Sequence, residues 1–400
     1  MSWEKMKLKD VCISISDGDH QPPPKANKGV PFVTISNITN TNQFDFSNTM
    51  FVPQEYYDGL DSKRKVQEGD VLYSVVGSFG IPVYIKNNTP FVFQRHIAIL
   101  RPNVYKIAPQ FLYYTMLNRD FYLKADAAAI GAAQRTVSLT ALRNMEIEIP
   151  HIETQKKVAK ILSSYDNLIE NHQKQIKLLE EAAQRLYKEW FVDLRFPGYE
   201  NVKIVDGVPE GWEKDTIDSR IELLSGYAFK SSEFNDEGKY KIITIKNVKD
   251  GQFDGDNVKR MINIPEKMPE HCKLVDGDIL LSLTGNVGRV CIVHGENFLL
   301  NQRVAKLRSN NMAYTYCLFR SKDMFDNMNN LTNGVAQQNL SPIRTGKINI
   351  VFPTDALIQM FEKTVNPMLN KITVLNKSIL SLSQARDRLL PKLMNGEIEV

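Results

Sequence analysis

The residues that could do chemistry in this chain are few, and their spacing argues against most reactions. Asp276 and Asp278 flank Gly277, as paired carboxylates working on a proton would stand close together. They sit in a glycine-centred turn, however, where aspartate is an ordinary turn former. A phosphate-cradling P-loop needs G-x-x-x-x-G-K-[ST]. The stretch "TGKIN" has Ile348 in the hydroxyl position and Ser341 in place of the first glycine. No G-x-G-x-x-G follows a strand, and neither H-E-x-x-H nor G-x-S-x-G occurs. "HQPPPKAN" from His20 has prolines, but Gln21 precedes them and Lys25 follows, so it lacks the Asn- or Asp-Pro-Pro-aromatic pattern used to hold a target base. Cys12, Cys272, Cys291 and Cys317 show no C-x-x-C spacing and read as small buried side chains in a reducing compartment. This inventory predicts a non-catalytic chain with no metal and no cofactor of its own.

What remains is a glycine turn that occurs twice. "EGDVLYSVVGSFG" (Glu68 to Gly80) is answered by "DGDILLSLTGNVG" (Asp276 to Gly288), with Gly69, Asp70, Ser74, Gly77 and Gly80 each matched 208 residues later. Trp3 and Leu8 are answered by Trp212 and Ile217, "TISNI" at Thr34 by "TIKNV" at Thr244, and "GAAQRTVS" at Gly131 by "GVAQQNLS" at Gly334. "FQRHIAILR" is matched to "NQRVAKLR" by setting Gln94-Arg95 on Gln302-Arg303. "EIEIP" ending at Pro150 matches "NIVFP" ending at Pro353. One unit therefore occurs twice.

Each copy has two textures. Short β-rich runs such as "VLYSVV", "KIITI" and "DILLSL", broken by Gly, Pro and Asn, predict a mixed domain rich in strands. A helical stretch poor in Gly and Pro follows each of Pro150 and Pro353. In the first, Val158, Leu162, Tyr165, Ile169, His172, Ile176, Leu179, Ala183, Leu186 and Trp190 alternate steps of four and three. The positions 203 residues later are Phe361, Val365, Met368, Ile372, Leu375, Ile379, Leu382, Arg386, Leu389 and Leu393. A stripe that narrow is a coiled-coil seam, so the two helices are expected to pack on each other, antiparallel, as a rod of roughly 60 Å. His172 and Arg386 interrupt the seams. Pro367 predicts that the second helix is kinked or starts late, and the glycine of "MNGEI" that it ends there.

The fold class expected is α+β: two homologous β-rich mixed domains separated by two long antiparallel coiled-coil helices, with pseudo-twofold internal symmetry. The net charge of +4 permits a polyanionic partner without demanding one. No apolar run is long enough to span a bilayer, and "MSWEKMKLKD" has no apolar core of a signal peptide behind its charges, so a cytoplasmic protein with no membrane partner is expected.

With these features together, the chain resembles the specificity (S) subunits of type I restriction–modification enzymes over essentially its whole length. The resemblance is carried by "VPEGWEKDTI", "SGYAFKSSEF", the "GDVL" and "GDIL" turns, "AQQNLS", and the helix ends "LYKEWFVDLRFPG" and "ARDRLLPKLMNGEI". It implies target recognition domains at 1–150 and 197–353, a central helix at 151–196 and a C-terminal helix at 354–400. Each domain would read half of a bipartite double-stranded DNA target, with the coiled coil setting the gap. Two methyltransferase (M) subunits using S-adenosylmethionine for adenine-N6 methylation, and restriction (R) subunits using ATP and Mg2+, would be the partners. The seam residues are Leu162, Ile169, Ile176, Leu179, Leu186, Trp190, Val365, Ile372, Ile379, Leu382, Leu389 and Leu393.

Residues shared by two domains that read different half-sites cannot encode the difference. Arg95 and Arg303 are thus expected to be scaffold or phosphate contacts. Base readers are expected where the copies diverge: Lys25 and Lys28, Ser78-Phe79 against Asn286-Val287, Arg135 against Gln338 and Asn339, and Tyr227, Lys230 and Arg289. A coiled-coil adaptor that binds only proteins would explain the seams but not the large paired domains. A self-sufficient restriction or modification enzyme would need motifs that are missing.

Overall fold

The computed structural model describes all 400 residues except 1, 2, 19, 21, 40, 133 and 332–338, so the Gln338 position lies outside the described residues. The chain forms two compact units, Met1–Leu168 with Leu382–Val400, and Ile169–Ser381. Both are mixed α+β and share one plan.

In the first unit an antiparallel sheet runs in the order Cys12–Asp17, Ile97–Pro102, Val71–Ser74, Pro82–Tyr84. The strand Val71–Ser74 is buried along its whole length because both faces of the sheet are covered. Val71 and Tyr73 enter a core with Phe111 and Leu142, while Leu72 enters a second core with Phe91 and Phe93. A smaller sheet, Met50–Val52, Val30–Val33 and Val92–Phe93, closes the second core's side, and Glu4–Lys7 pairs with Glu146–Ile149.

The second unit repeats this. Its sheet runs Glu222–Ser225, Val304–Arg308, Ile279–Ser282, Val290–Ile292, and Glu213–Thr216 pairs with Asn349–Phe352. Ile279 and Leu281 face one core and Leu280 the other. The smaller sheet here has four strands, Lys259–Met261, Tyr240–Ile243, Phe298–Leu300 and Lys273–Leu274.

Two long helices, Ile152–Tyr187 and Asp355–Met394, each contribute one end to each unit. In the first unit Val158 and Leu162 share a core with Leu390, Leu393 and Met394. In the second, Ala183 and Tyr187 share one with Phe361, Val365 and Leu369. Early residues of one helix meet late residues of the other in both units, so the pairing is antiparallel. Leu162, Ile169, Val365, Ile372 and Leu393 are buried. Ile176, Leu179, Leu186, Trp190, Ile379, Leu382 and Leu389 are half-buried.

Two details differ from the sequence expectation. The second helix does not start late: it begins at Asp355 and runs through Pro367. Pro367 is exposed, so the carbonyl that lacks its N–H partner lies on the solvent side of the helix. The first helix ends at Tyr187 and passes into a wider π turn, Lys188–Val192, short of residue 196.

Polar side chains on the long helices fasten each unit. Arg386 in the seam pairs with Asp166 at 2.6 Å, and the Tyr114 hydroxyl donates to the other Asp166 oxygen at 2.6 Å. In the second unit the Tyr316 hydroxyl donates to Glu180 at 2.6 Å, and Arg320 pairs with the same carboxylate. Gln155 accepts the N–H of Ala108 at the start of helix Pro109–Leu117, and Glu362 accepts those of Ala313 and Tyr314 at the start of Met312–Phe319. The Nδ1 of His172 has no hydrogen-bond partner among the described residues.

Candidate nucleic-acid interface

The repeated turn is shaped by one buried serine. Ser74 ends its strand fully buried. Its hydroxyl donates to the Ser78 carbonyl and accepts the Ile81 N–H, both at 2.9 Å. Ser282 does the same between the Asn286 carbonyl and the Arg289 N–H. Gly77 and Gly80 take φ of 70° and 96°, and Gly285 and Gly288 take 74° and 82°, the left-handed region that glycine enters without steric cost. At Gly80 a Cβ would also sit 2.5 Å from the Tyr122 ring.

Backbone hydrogen bonds bring two more segments against this loop. The Val75 N–H donates to the His96 carbonyl at 2.8 Å, the Gly77 N–H to Arg135 at 3.0 Å, and the Val137 N–H back to Val75 at 2.9 Å. In the second unit Leu283 donates to Arg303 at 3.0 Å and Leu340 donates to Leu283 at 2.7 Å, while Thr284 bridges Asn339. Each unit thus presents a three-loop cluster. It gathers Ser78, Arg95 and Arg135 in the first, and Asn286, Arg289, Arg303 and Asn339 in the second. Tyr227 joins the second cluster, since its carbonyl accepts the Gln302 N–H at 3.0 Å. Gly226 allows this, because a Cβ there would lie 2.2 Å from the Asn301 carbonyl oxygen.

The turns do not superpose as the identical letters suggest. Ile97 pairs with Ser74 and Val304 with Ser282, so His96 is the counterpart of Arg303, and Arg95 that of Gln302. The matching of Gln94-Arg95 with Gln302-Arg303 is therefore off by one residue. "IAILR" and "VAKLR" fix the frame through strand register, whereas "QR" occurs in both copies by coincidence of position in a turn. The inference that Arg95 and Arg303 occupy a shared position falls with it.

Other expected residues are placed elsewhere. Lys25 and Lys28 are exposed beside Ala26, whose N–H bonds Phe51 at the edge of the small sheet, and no contact among the described residues ties them to the cluster. Lys230 is exposed at the start of a short turn, Ser231–Glu233. Arg135 is not a free cation. Asp126 holds its guanidinium through the carboxylate and the backbone carbonyl, both at 2.5 Å, and it lies over the Phe79 ring, which stacks on Tyr122. Asn339 accepts the Thr284 hydroxyl at 3.0 Å. Arg95 and Arg303 are exposed and make no ion pair among the described residues. Sequence reading missed His96 and Asp126. His96 is half-buried, and burial followed by the neighbouring Arg95 lowers its pKa. The one available signal was that His96 stands beside Arg95.

The aspartates of the turn are structural. Asp70 is buried, accepts the Gln67 N–H and takes two hydrogen bonds from Arg101 at 3.0 and 2.9 Å. Asp278 accepts the Val275 N–H and pairs with Lys306 at 2.7 Å. Asp276 is bound by Lys377 and the Gly295 N–H, each at 2.7 Å. Partial burial pushes its carboxyl up, but these partners outweigh that and hold it below the usual range. No group of three His, Cys, Asp or Glu among the described residues could hold a metal ion. No helix there is long and apolar enough to cross a membrane.

Comparison with known proteins meets this geometry. The chain is 25% identical to the type I restriction enzyme MjaIX specificity subunit of Methanocaldococcus jannaschii, over 100% of this chain and 94% of the relative. It is 22% identical to the HindI specificity subunit of Haemophilus influenzae, over 99% of both. Its fold matches the crystal structure of a type I restriction–modification S subunit from M. genitalium with a TM-score of 0.61, at 17% identity over 98% of this chain and 96% of that one. A family model described as the type I restriction modification DNA specificity domain matches residues 1–181 and again 209–359. The duplicated architecture, two such units sharing paired long helices, is thus that of a DNA-recognition subunit, and the chain belongs to the family of type I restriction–modification specificity subunits.

Proposed function

We propose that each unit reads one half of a bipartite duplex target, and that the chain contributes recognition while the chemistry resides in partner subunits. The observation that carries this reading is a common scaffold with divergent decoration. Ser74 and Ser282, the paired glycines and the sheet register fix the same three loops in both units. The side chains presented there differ: Ser78 against Asn286, His96 against Arg303, Thr136 against Asn339. Two such surfaces suit two different base sequences, since arginine pairs with guanine and asparagine with adenine at groove edges. Exposed Arg95 and Arg303 suit phosphate or guanine.

On this reading the partners are two methyltransferase subunits, bound in equivalent ways by the duplicated chain, together with restriction subunits. S-adenosylmethionine, ATP and Mg2+ are assigned to those subunits, and this chain has no catalytic role of its own. Mapping modified adenines in a host that expresses the whole system tests it. The expected result is a two-part motif with an unspecified gap. A single continuous motif, or no motif that depends on this chain, would overturn the reading.

A further inference from the structure

The second unit holds a cavity of about 420 Å³, lined by Tyr187, Phe191, Trp212, Tyr314, Asp323 and Asn327 among others. That volume lies in the ~300–1,000 Å³ range of sites that bury small ligands or side chains. The four aromatic rings are mutually packed, with Phe191 5.1 Å from Tyr314, 5.2 Å from Tyr187 and 6.2 Å from Trp212. Asp323 is exposed and makes no hydrogen bond or ion pair among the described residues. Leu194 on the rim holds a left-handed backbone, φ 57°, a costly conformation for a bulky residue.

The other copy in the same chain indicates what such a place accepts. Strand pairing makes Glu146 the counterpart of Asn349, a lining residue, and Trp3 that of Trp212. Helix Arg119–Ala128 corresponds to Lys322–Asn330, so Lys124 is the counterpart of Asn327 and Phe121 that of Met324. In the first unit the Lys124 ammonium reaches across and donates to the Glu146 carbonyl at 3.0 Å. There the long-helix residues at the positions of Tyr187 and Phe191 are Leu390 and Met394. The second unit has lost the internal cation, gained aromatic faces and kept an unpaired carboxylate. Aromatic faces with a carboxylate attract cations, and a planar guanidinium uses both together.

We propose that this pocket receives an arginine side chain of a partner polypeptide. The guanidinium stacks on the aromatic faces and pairs with Asp323, in the place that Lys124 covers from within in the first unit. The proposal is independent of the DNA reading. The full chain, labelled with 15N at its indoles, is titrated with N-acetyl-arginine amide, with N-acetyl-citrulline amide as the uncharged isostere. The Trp212 indole resonance is expected to move with the first and not the second. Asp323→Asn should weaken binding about tenfold, the order of a lost charge contact in a partly desolvated site. Asn327→Lys should abolish it by supplying the cation internally. Both positions are exposed, so thermal midpoints should stay near wild type. Equal response to citrulline, no movement of Trp212, or unchanged binding in the two variants would overturn the proposal. So would tighter binding of spermidine, which would make the occupant a free polyamine rather than a protein side chain.

Discussion

Ser74 is a polar residue in a fully buried position, and its hydroxyl satisfies both a loop carbonyl and a loop N–H. Ser74→Ala leaves Ser78 O and Ile81 N–H unpaired in a site that water enters poorly. The expected loss is about 1–3 kcal/mol of stability by urea unfolding, against under about 0.5 kcal/mol for Ser78→Ala on the exposed tip. Arg135 calls for a different experiment, because Asp126 already neutralises it. Asp126→Ala removes the counter-charge from the guanidinium, so non-specific affinity for duplex DNA should rise and fall more steeply with salt, by up to about 0.9 in the logarithmic slope. Arg135→Ala should lower affinity without unfolding the protein. Binding anisotropy at two salt concentrations measures both. Unchanged affinity in both variants would remove Arg135 from the interface.

At the scale of elements, the buried helix starts carry the titration. Burial pushes the Glu362 carboxyl above its ordinary value of 4.5, while the N–H groups of Tyr314 and Ala313 pull it back in part. A carboxyl whose folded-state pKa is raised is ionised at a cost in the fold. Its contribution is therefore least favourable above the raised value and recovers as pH falls through it towards 4.5. Glu362→Gln keeps an acceptor for the helix start and removes the titration. The stability of the wild type relative to this variant should increase as pH falls from neutrality towards 4.5, read as the difference of two urea midpoints. A constant difference would show that the carboxyl ionises without cost.

The elements also show what the chain makes legible. Heptad spacing exposed both long helices, because a seam buries the same phase for many turns and each missed position is visible. The glycine turns were legible because positive φ selects glycine. Register was not: "QR" occurs in both turns, yet only the pairing of Ile97 with Ser74 and Val304 with Ser282 places His96 on Arg303. The grip of Asp126 on Arg135 was hidden too, since it depends on how one helix end meets one loop. Nor do the buried aspartates reveal their cations. Asp70 takes Arg101, but the counterpart of Arg101 is Arg308, and Asp278 instead takes Lys306, which replaces Ile99. The same need for a buried counter-charge was met from two sheet positions, so pairwise identity carries no trace of it.

For the molecule as a whole, duplication makes the two long helices interchangeable in role. The early half of one and the late half of the other build each unit's core, and the polar fastenings differ: Asp166, Arg386 and Tyr114 in the first unit, Glu180, Tyr316 and Arg320 in the second. If the seam sets the interval between half-sites, the interval must follow helix length. Seven residues inserted in both helices, between Leu168 and Ile169 and between Ser381 and Leu382, preserve the seam phase and add about 10 Å. That is about three base pairs at ~3.4 Å each. Methylation mapping of the altered system should return the same two half-site sequences with a gap longer by about three pairs. Five residues in each helix would instead rotate the apolar stripe by about 150° out of phase, and both half-sites should be lost together. An unchanged gap after the seven-residue insertion would mean that something other than the paired helices fixes the interval.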